Sequence, residues 1–216
     1  MDEALRIREL WFGERWAGPL KKEPDPGARA ESLEERAQLW FGADSPVMRQ
    51  RDELIRSQFS RLLDRAALGE LDAWADSPRR RLSLILLLDQ FPRHIYRGTA
   101  RAFAYDERAL SLTLSGMQSA ADGALNVVER IFFYMPLQHS ESLEVQDEAV
   151  AAYGRLLREA PAELRRTFAE ALESAESHRT LIQRFGRFPH RNATLGRAST
   201  AEEQTFLEST PDGFGQ

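Results

Sequence analysis

Cysteine is absent from the 216-residue chain, which excludes disulfide bonds and thiolate metal sites. A long apolar run is also missing, because the longest one, Leu82 to Leu88, is far shorter than the roughly 20 residues that cross a bilayer. The first ten residues, MDEALRIREL, lack the apolar centre of a secretory signal. We therefore expect a soluble, cytoplasmic protein with no membrane partner.

Lysine is almost missing as well, since 27 of the 29 basic residues are arginine. Any anion site in this chain is thus expected to use planar guanidinium groups. The net charge of −5 gives no support to a nucleic-acid partner. The phosphate-binding GxxxxGK and GxGxxG loops and the GxSxG turn of serine hydrolases are absent. No cofactor is expected.

No stretch alternates apolar and polar residues as a β-strand does, whereas apolar residues recur at helical spacing. We predict a single all-α domain over 1–216, with about eight helices in antiparallel hairpins and an exposed variable loop over 19–30. The expected helical segments are 3–16, 31–41, 46–68, 79–90, 100–118, 124–135, 140–159, 162–185 and 201–207.

Helix starts have local signals in this sequence. Asp44-Ser45-Pro46 and Asp76-Ser77-Pro78 each combine a capping side chain with a proline at the first helical position. Thr200 and Glu203 have the spacing of a capping box. These signals predict helices that begin immediately after them.

Hydrogen-bond donors are concentrated in FGRFPHRNATLGR, residues 185–197, which contain no acidic residue. Two other segments place polar groups at predicted helix ends, Asp89-Gln90-Phe91-Pro92-Arg93 and His139-Ser140-Glu141. We predict that the three segments fold together as the walls of one polar cleft. The donors of the first segment are Arg187, His190, Arg191, Asn192 and Arg197.

Two short motifs resemble each other, Phe91-Pro92-Arg93-His94 and Phe188-Pro189-His190-Arg191. In each, an aromatic residue and a proline follow a predicted helix, and the proline is expected to stop that helix. Two basic or ionisable residues come next, where cations are favourable. We interpret the motifs as possible facing arms of the cleft.

Asp89 is predicted at the C-terminal end of a buried helix, where a carboxylate needs a compensating cation. One interpretation is a structural salt bridge to Arg93, Arg187 or Arg191. The other is a carboxylate that orients a ligand or takes part in acid–base chemistry.

The four histidines do not have the close helical spacing of metal-binding motifs, so no metal is predicted. A metal site assembled from distant segments, with Glu141 or Asp89 as an oxygen ligand, stays an alternative. His139 follows a predicted helix and has no evident structural role, whereas Ser140 suits a helix cap and Glu141 a first helical turn. His178 lies on the apolar stripe of 162–185, which is typical of a hydrogen-bonded core histidine.

Three blocks of the sequence resemble the bacterial family known as domain of unknown function 924: LILLLDQFPRHIYRGTARAFAYD (84–106), ERIFFYMPLQHSES with Gln146 four residues further on (129–146) and HRTLIQRFGRFPHRNATLGRASTAEEQTFL (178–207). The resemblance implies an all-α, tetratricopeptide-like helical fold and no established activity. At His94 the family's pattern is expected to have asparagine, which lowers the interest of this residue. The residues that fall in the family's blocks are Asp89, Gln90, Pro92, Arg93, His139, Ser140, Glu141, Gln146, His178, Arg184, Arg187, His190, Arg191, Asn192 and Arg197.

Three functional hypotheses follow. The first is a binding module whose arginine- and histidine-lined cleft captures a small anionic ligand, such as a phosphate, a carboxylate or an acidic peptide end. Its expected ligand-binding residues are Arg93, Arg187, His190, Arg191, Asn192, Arg197, Gln90 and His178. The second is a hydrolase or transferase acting on a phosphorylated or carboxylated small molecule. Its candidate catalytic residues are His139, Glu141, His190 and Asp89. The third is a structural or interaction protein in which these groups only join helix ends. The oligomeric state and the presence of any enzymatic activity stay open.

Overall fold

The computed structural model describes residues 2–17, 35–37, 40 and 45–209. Within them the chain forms nine α-helices and no strand, which confirms the all-α prediction. The helices are α1 Glu3–Trp16, α2 Pro46–Ala67, α3 Pro78–Ile95, α4 Asp106–Gln118, α5 Val127–Phe133, α6 Met135–Gln138, α7 Leu143–Glu159, α8 Arg165–Phe185 and α9 Ala201–Ser209. Short 3-10 helices cover Asp72–Asp76, Ala100–Phe103, Ala121–Ala124, Ala162–Leu164 and Pro189–Arg191. The expected loop over 19–30 and most of the expected helix over 31–41 lie outside the described residues.

The helix starts follow the local signals of the sequence. Ser45 Oγ accepts a hydrogen bond from the backbone N–H of Met48 at 3.2 Å, and α2 begins at the next residue, a proline. Thr200 and Glu203 form the predicted capping box, with N–H···O distances of 2.7 and 3.2 Å. At α7 the cap is Ser142, so Ser140 and Glu141 lie before the helix and not in its first turn.

The centre of the molecule is α3, in which 13 of 18 residues are buried. It packs against α1, α2, α4 and α5, because its stretch from Leu84 to Leu88 is apolar on all sides and has no exposed surface. Each such side chain contributes about 1.5–3 kcal/mol when fully buried. The polar residues at the end of α3 are therefore held in a fixed position by the core.

Pro92 does not end its helix, although the sequence predicts that it should. Helix α3 continues through Pro92 to Ile95, and the N–H of Tyr96 donates to the Pro92 carbonyl at 2.8 Å. A proline removes one backbone hydrogen bond, and burial of Phe91 and Ile95 offsets this loss. Pro136 lies in the first turn of α6, after α5 has ended at Phe133. The expected helices over 100–118 and 124–135 are each divided into two shorter elements.

Neighbouring long helices pack side by side. Helix α7 packs along α8, to which five residues connect it, and α2 packs along α3. Short connections of this kind produce antiparallel hairpins. A small apolar cluster of Leu181, Ile182, Phe185, Phe188 and Phe206 holds α9 near the end of α8, separate from the main core. No helix in the described part of the chain is long and apolar enough to cross a membrane.

Candidate functional site

The three polar segments of the sequence are brought together. The Glu141 side chain, between α6 and α7, accepts a hydrogen bond from the backbone N–H of Phe188 at 2.8 Å. The Arg191 guanidinium donates to the His139 carbonyl oxygen at 3.1 Å. His139 in turn contacts Asp89 of α3. The loop after α8 thus lies against the ends of α3 and α6.

Asp89 and His139 form a buried pair at the centre of this region. Asp89 is fully buried, and its Oδ1 lies 2.6 Å from His139 Nδ1. Burial alone would raise the pKa of Asp89, but His139 and Arg93 together lower it to about 2. Because the carboxylate only accepts, His139 Nδ1 carries the proton. Burial lowers the pKa of His139, so its ring is neutral and Nε2 is a hydrogen-bond acceptor. This is the arrangement of a base held by a carboxylate.

Gln90 and Arg93 complete the surroundings of Asp89. Gln90 Nε2 donates to Asp89 Oδ2 at 2.5 Å. The guanidinium of Arg93 donates to the Asp89 backbone carbonyl at 2.5 Å and lies 3.6 Å from the carboxylate. Arg93 is therefore the cation that compensates the Asp89 carboxylate at the end of α3, whereas Arg187 pairs with Glu203.

Asp106, at the start of α4, is a central residue that the sequence analysis missed. It accepts two hydrogen bonds from Arg93, both at 2.9 Å, and a longer one of 3.4 Å from Arg191. An aspartate in the first turn of a helix is favourable in any protein. For that reason its second role as the shared partner of two arginines has no separate sequence signal.

The guanidinium of Arg191 lies between two aromatic rings. Its central carbon is 4.7 Å from the Phe103 ring centre and 4.5 Å from that of Phe188. Burial, together with the like charge of Arg93, lowers the pKa of Arg191 to about 10, which leaves it charged at neutral pH. Within the described residues, the buried Nε atoms of Arg191 and Arg93 have no hydrogen-bond partner.

The other two arginines of the 185–197 segment are engaged in ion pairs. Arg187 donates from Nε and Nη2 to the carboxylate of Glu203, at 2.7 and 2.8 Å. Arg197 donates to both oxygens of Glu141, at 2.7 and 3.0 Å, and to Asn192 Oδ1 at 2.9 Å. Burial would raise the pKa of Glu141, but the hydrogen bonds from Arg197 and the Phe188 N–H lower it. These contacts hold the loop closed on itself.

His178 and His190 both lie beside Phe188, at 5.5 and 5.4 Å between ring centres. His178 Nδ1 donates to the Ser174 carbonyl at 2.8 Å. Burial lowers the pKa of His178 to about 4 and that of His190 to about 3. Both rings are consequently neutral at pH 7.

The fourth histidine, His94, belongs to a separate contact. Its Nδ1 lies 2.6 Å from Asp52 Oδ1, and Arg97 donates to both oxygens of the same carboxylate at 2.8 and 3.2 Å. Asp52 is on α2, so the group joins α2 to the end of α3. Within the first look-alike motif, His94 thus contacts α2, whereas Arg93 contacts Asp106.

A hollow of about 60 Å³ lies where the end of α3 meets the loop after α8. It brings Arg93 of the first look-alike motif and His190 of the second into one wall. Sequence reasoning missed Arg97 and Thr194 in this wall. The complete lining is Arg93, Arg97, Gly98, Ala102, Phe103, His190 and Thr194. His139 is not among these residues.

A larger groove of about 510 Å³ lies beside α1 and α2. Its lining is Leu10, Arg36, Val47, Gln50, Arg51, Glu53, Leu54 and Ser57. It contains none of the polar residues that the sequence analysis selected. In the described part of the chain, no three histidine or acidic side chains are grouped so that they could hold a metal ion.

Comparison with known proteins gives a family but no activity. The model of the family described as "Bacterial protein of unknown function (DUF924)" matches residues 7–211. Among solved structures, the chain is similar to that of the protein of unknown function ATU0120 from Agrobacterium tumefaciens, with 36% identity and a TM-score of 0.69 over 79% of this chain and 88% of that chain. Curated proteins give no match. The family match includes every residue of the site, and the chain therefore belongs to the DUF924 family of bacterial proteins of unknown function.

Proposed function

We propose that this protein binds a small anionic group, a phosphate, a carboxylate or an acidic peptide end, in the hollow between the end of α3 and the loop after α8. The observation that carries the proposal is that two guanidinium groups, Arg93 and Arg97, line this hollow together with the imidazole of His190. Guanidinium groups are well suited to bind carboxylates and phosphates, because their planar N–H groups match the oxygens of such anions.

The size of the hollow supports a ligand that enters with one end only. A volume of about 60 Å³ accommodates a single charged group and not a whole metabolite. Phe103 and Ala102 form an apolar side, and Thr194 supplies a hydroxyl group beside the cations. The rest of a ligand would extend into the solvent, as the end of a peptide or a phosphorylated molecule does.

A thermal-shift experiment with sulfate and acetate as probes tests this function. At a probe concentration ten times the Kd, the expected stabilisation of about 1.4 kcal/mol raises the Tm by roughly 3–5 °C. Arg97→Gln should reduce the shift, because Arg97 lines the hollow. Arg187→Gln is the matched control, since it breaks a comparable ion pair of a partly exposed arginine outside the hollow. Equal shifts in both variants, or no shift in the wild type, would reject the proposal.

A second candidate is a purely structural role, and the paired arginines favour it. Arg187 and Arg197 both have two-point contacts with acids, which is how ion pairs join helix ends. The absence of a Tm shift with either probe would leave this candidate in place. His139 does not line the hollow, so the Asp89–His139 pair adds no catalytic step to either proposal.

We also propose a cytoplasmic location and a tetratricopeptide-like arrangement of the helices. The absence of cysteine supports the first. The side-by-side packing of α7 with α8 and of α2 with α3 supports the second. Location of a tagged chain by cell fractionation tests the first.

A further inference from the structure

The cations of the hollow are already matched by carboxylates. Arg93 has two hydrogen bonds of 2.9 Å to Asp106, and Arg97 has two, of 2.8 and 3.2 Å, to Asp52. The two arginines and two aspartates therefore add no net charge. An anion that enters needs an additional positive charge, because a buried charge without a counter-charge is unfavourable.

His190 is the group in the wall that can supply this charge. It lines the hollow together with Arg93 and Arg97, and its ring lies 5.4 Å from that of Phe188. Proton uptake at an imidazole adds one positive charge without movement of the backbone. Gly98, Ala102, Phe103 and Thr194, the other lining residues, do not ionise in the pH range of proteins.

We infer that an anion binds in this hollow together with one proton, which His190 takes up, so that binding tightens as the pH falls. The inference rests on the proposed function and specifies how the same site is regulated. The imidazole is neutral in the free protein and takes up the proton when the anion binds, and the resulting imidazolium neutralises one charge of the anion.

Charged and titratable groups from every neighbouring element act on His190. They are Arg93 of α3, Arg97 just after α3, Arg191 beside His190 in the loop, His178 of α8, His139 after α6 and Glu141 before α7. Burial, with Arg191 and His178 as further causes, lowers its pKa to about 3 in the free protein, whereas Glu141 acts in the opposite direction. The ring is thus neutral at pH 7 until an anion arrives.

One doubly charged anion can raise the pKa of His190 far enough for this proton uptake. At about 4 Å and an effective dielectric constant of about 20, a single charge raises the pKa of a neighbouring imidazole by roughly 3 units. The two charges of sulfate supply up to twice this rise, and about two thirds of that is enough to bring the pKa of His190 from about 3 to about 7. Under this condition the Kd is about tenfold lower at pH 6 than at pH 8.

Isothermal titration calorimetry with sulfate at pH 6 and pH 8 tests the inference, because sulfate keeps both negative charges over this pH range. Two buffers of different ionisation enthalpy at each pH give the number of protons taken up. We expect nearly one proton per sulfate at pH 6 and about a tenth at pH 8. The imidazole Cε1 proton resonance of His190, followed by NMR in the wild type, should move towards its protonated position when sulfate is added at pH 6.

His190→Asn and His178→Asn form a matched pair of variants. Each removes an imidazole beside Phe188, but only His190 lines the hollow. His190→Asn should abolish proton uptake, and His178→Asn should keep it. Sulfate binding without proton uptake, or with uptake that survives in His190→Asn, overturns the inference and leaves the proposed function standing. No sulfate binding at either pH overturns the proposed function as well.

Discussion

Replacing Asp89 with asparagine removes one negative charge from the interior and keeps the shape of the side chain. Its oxygens accept hydrogen bonds from His139 Nδ1 at 2.6 Å and Gln90 Nε2 at 2.5 Å. Asparagine can keep one of these bonds, but its NH2 group then faces the other donor. Arg93 loses a carboxylate at 3.6 Å, which leaves Asp106 as the acid that two buried guanidinium groups share.

The expected loss in the free energy of unfolding is about 3 kcal/mol. Removing one partner of a buried ion pair costs about 3–5 kcal/mol, and the lower end applies because Arg93 keeps both hydrogen bonds to Asp106. The pKa of Asp89 is lowered in the folded state to about 2. The stabilisation by this carboxylate is therefore present above its unfolded pKa of about 3.9 and is lost as the pH falls through about 2.

Urea denaturation at pH 7, followed by far-UV circular dichroism, measures this difference. Asp64→Asn is the matched control, because Asp64 pairs with Arg101 at the surface with 57% of its side chain exposed. The control should change the free energy of unfolding by less than about 0.5 kcal/mol. Below pH 4, the gap between wild type and Asp89→Asn should narrow. If Asp89→Asn is as stable as the control at pH 7, the buried network does not hold these helix ends together.

Two further predictions concern the loop after α8 and the histidine beside it. A double-mutant cycle with Arg197→Gln and Glu141→Gln should give a coupling energy of about 1 kcal/mol in urea denaturation. The contact has two hydrogen bonds, but the side chains of Arg197 and Glu141 are 24% and 30% exposed. Strictly additive effects would contradict the pairing. Burial lowers the pKa of His178 to about 4, so the unfolded chain takes up this proton first. The contribution of His178 to the free energy of unfolding should thus decrease by about 2 kcal/mol from pH 7.5 to pH 5. In His178→Gln the free energy of unfolding should vary correspondingly less with pH. The same pH dependence as in the wild type would refute the lowered pKa of His178.

Local signals account for the parts of the fold that the sequence predicts correctly. The caps at Ser45 and Thr200 depend on residues at most three positions away, so a short window of sequence contains all the necessary information. The role of Pro92 depends instead on packing around Phe91 and Ile95. A rule based on neighbours in the sequence cannot include that burial, and it predicted a helix end that is five residues too early.

The sequence predicts which segments form the candidate site, but not which acidic residue pairs with which arginine. The sequence indicates that the segments of Asp89, His139 and Arg191 meet, and their contacts agree with this. It does not indicate which acid serves which arginine, because Glu203 and Asp106 also have ordinary roles at helix starts. Those second roles arise only when the chain folds back on itself.

The small apolar cluster that anchors α9 has a thermodynamic consequence. Because it is separate from the main core, the C-terminal helix can detach while α3 stays folded. The ion pair Arg187–Glu203 adds to the resistance to this partial opening, and dissolved salt weakens it at the partly exposed arginine. Amide hydrogen exchange in Ala201–Ser209 should therefore accelerate with ionic strength, whereas the slowest amides of α3 report on global unfolding.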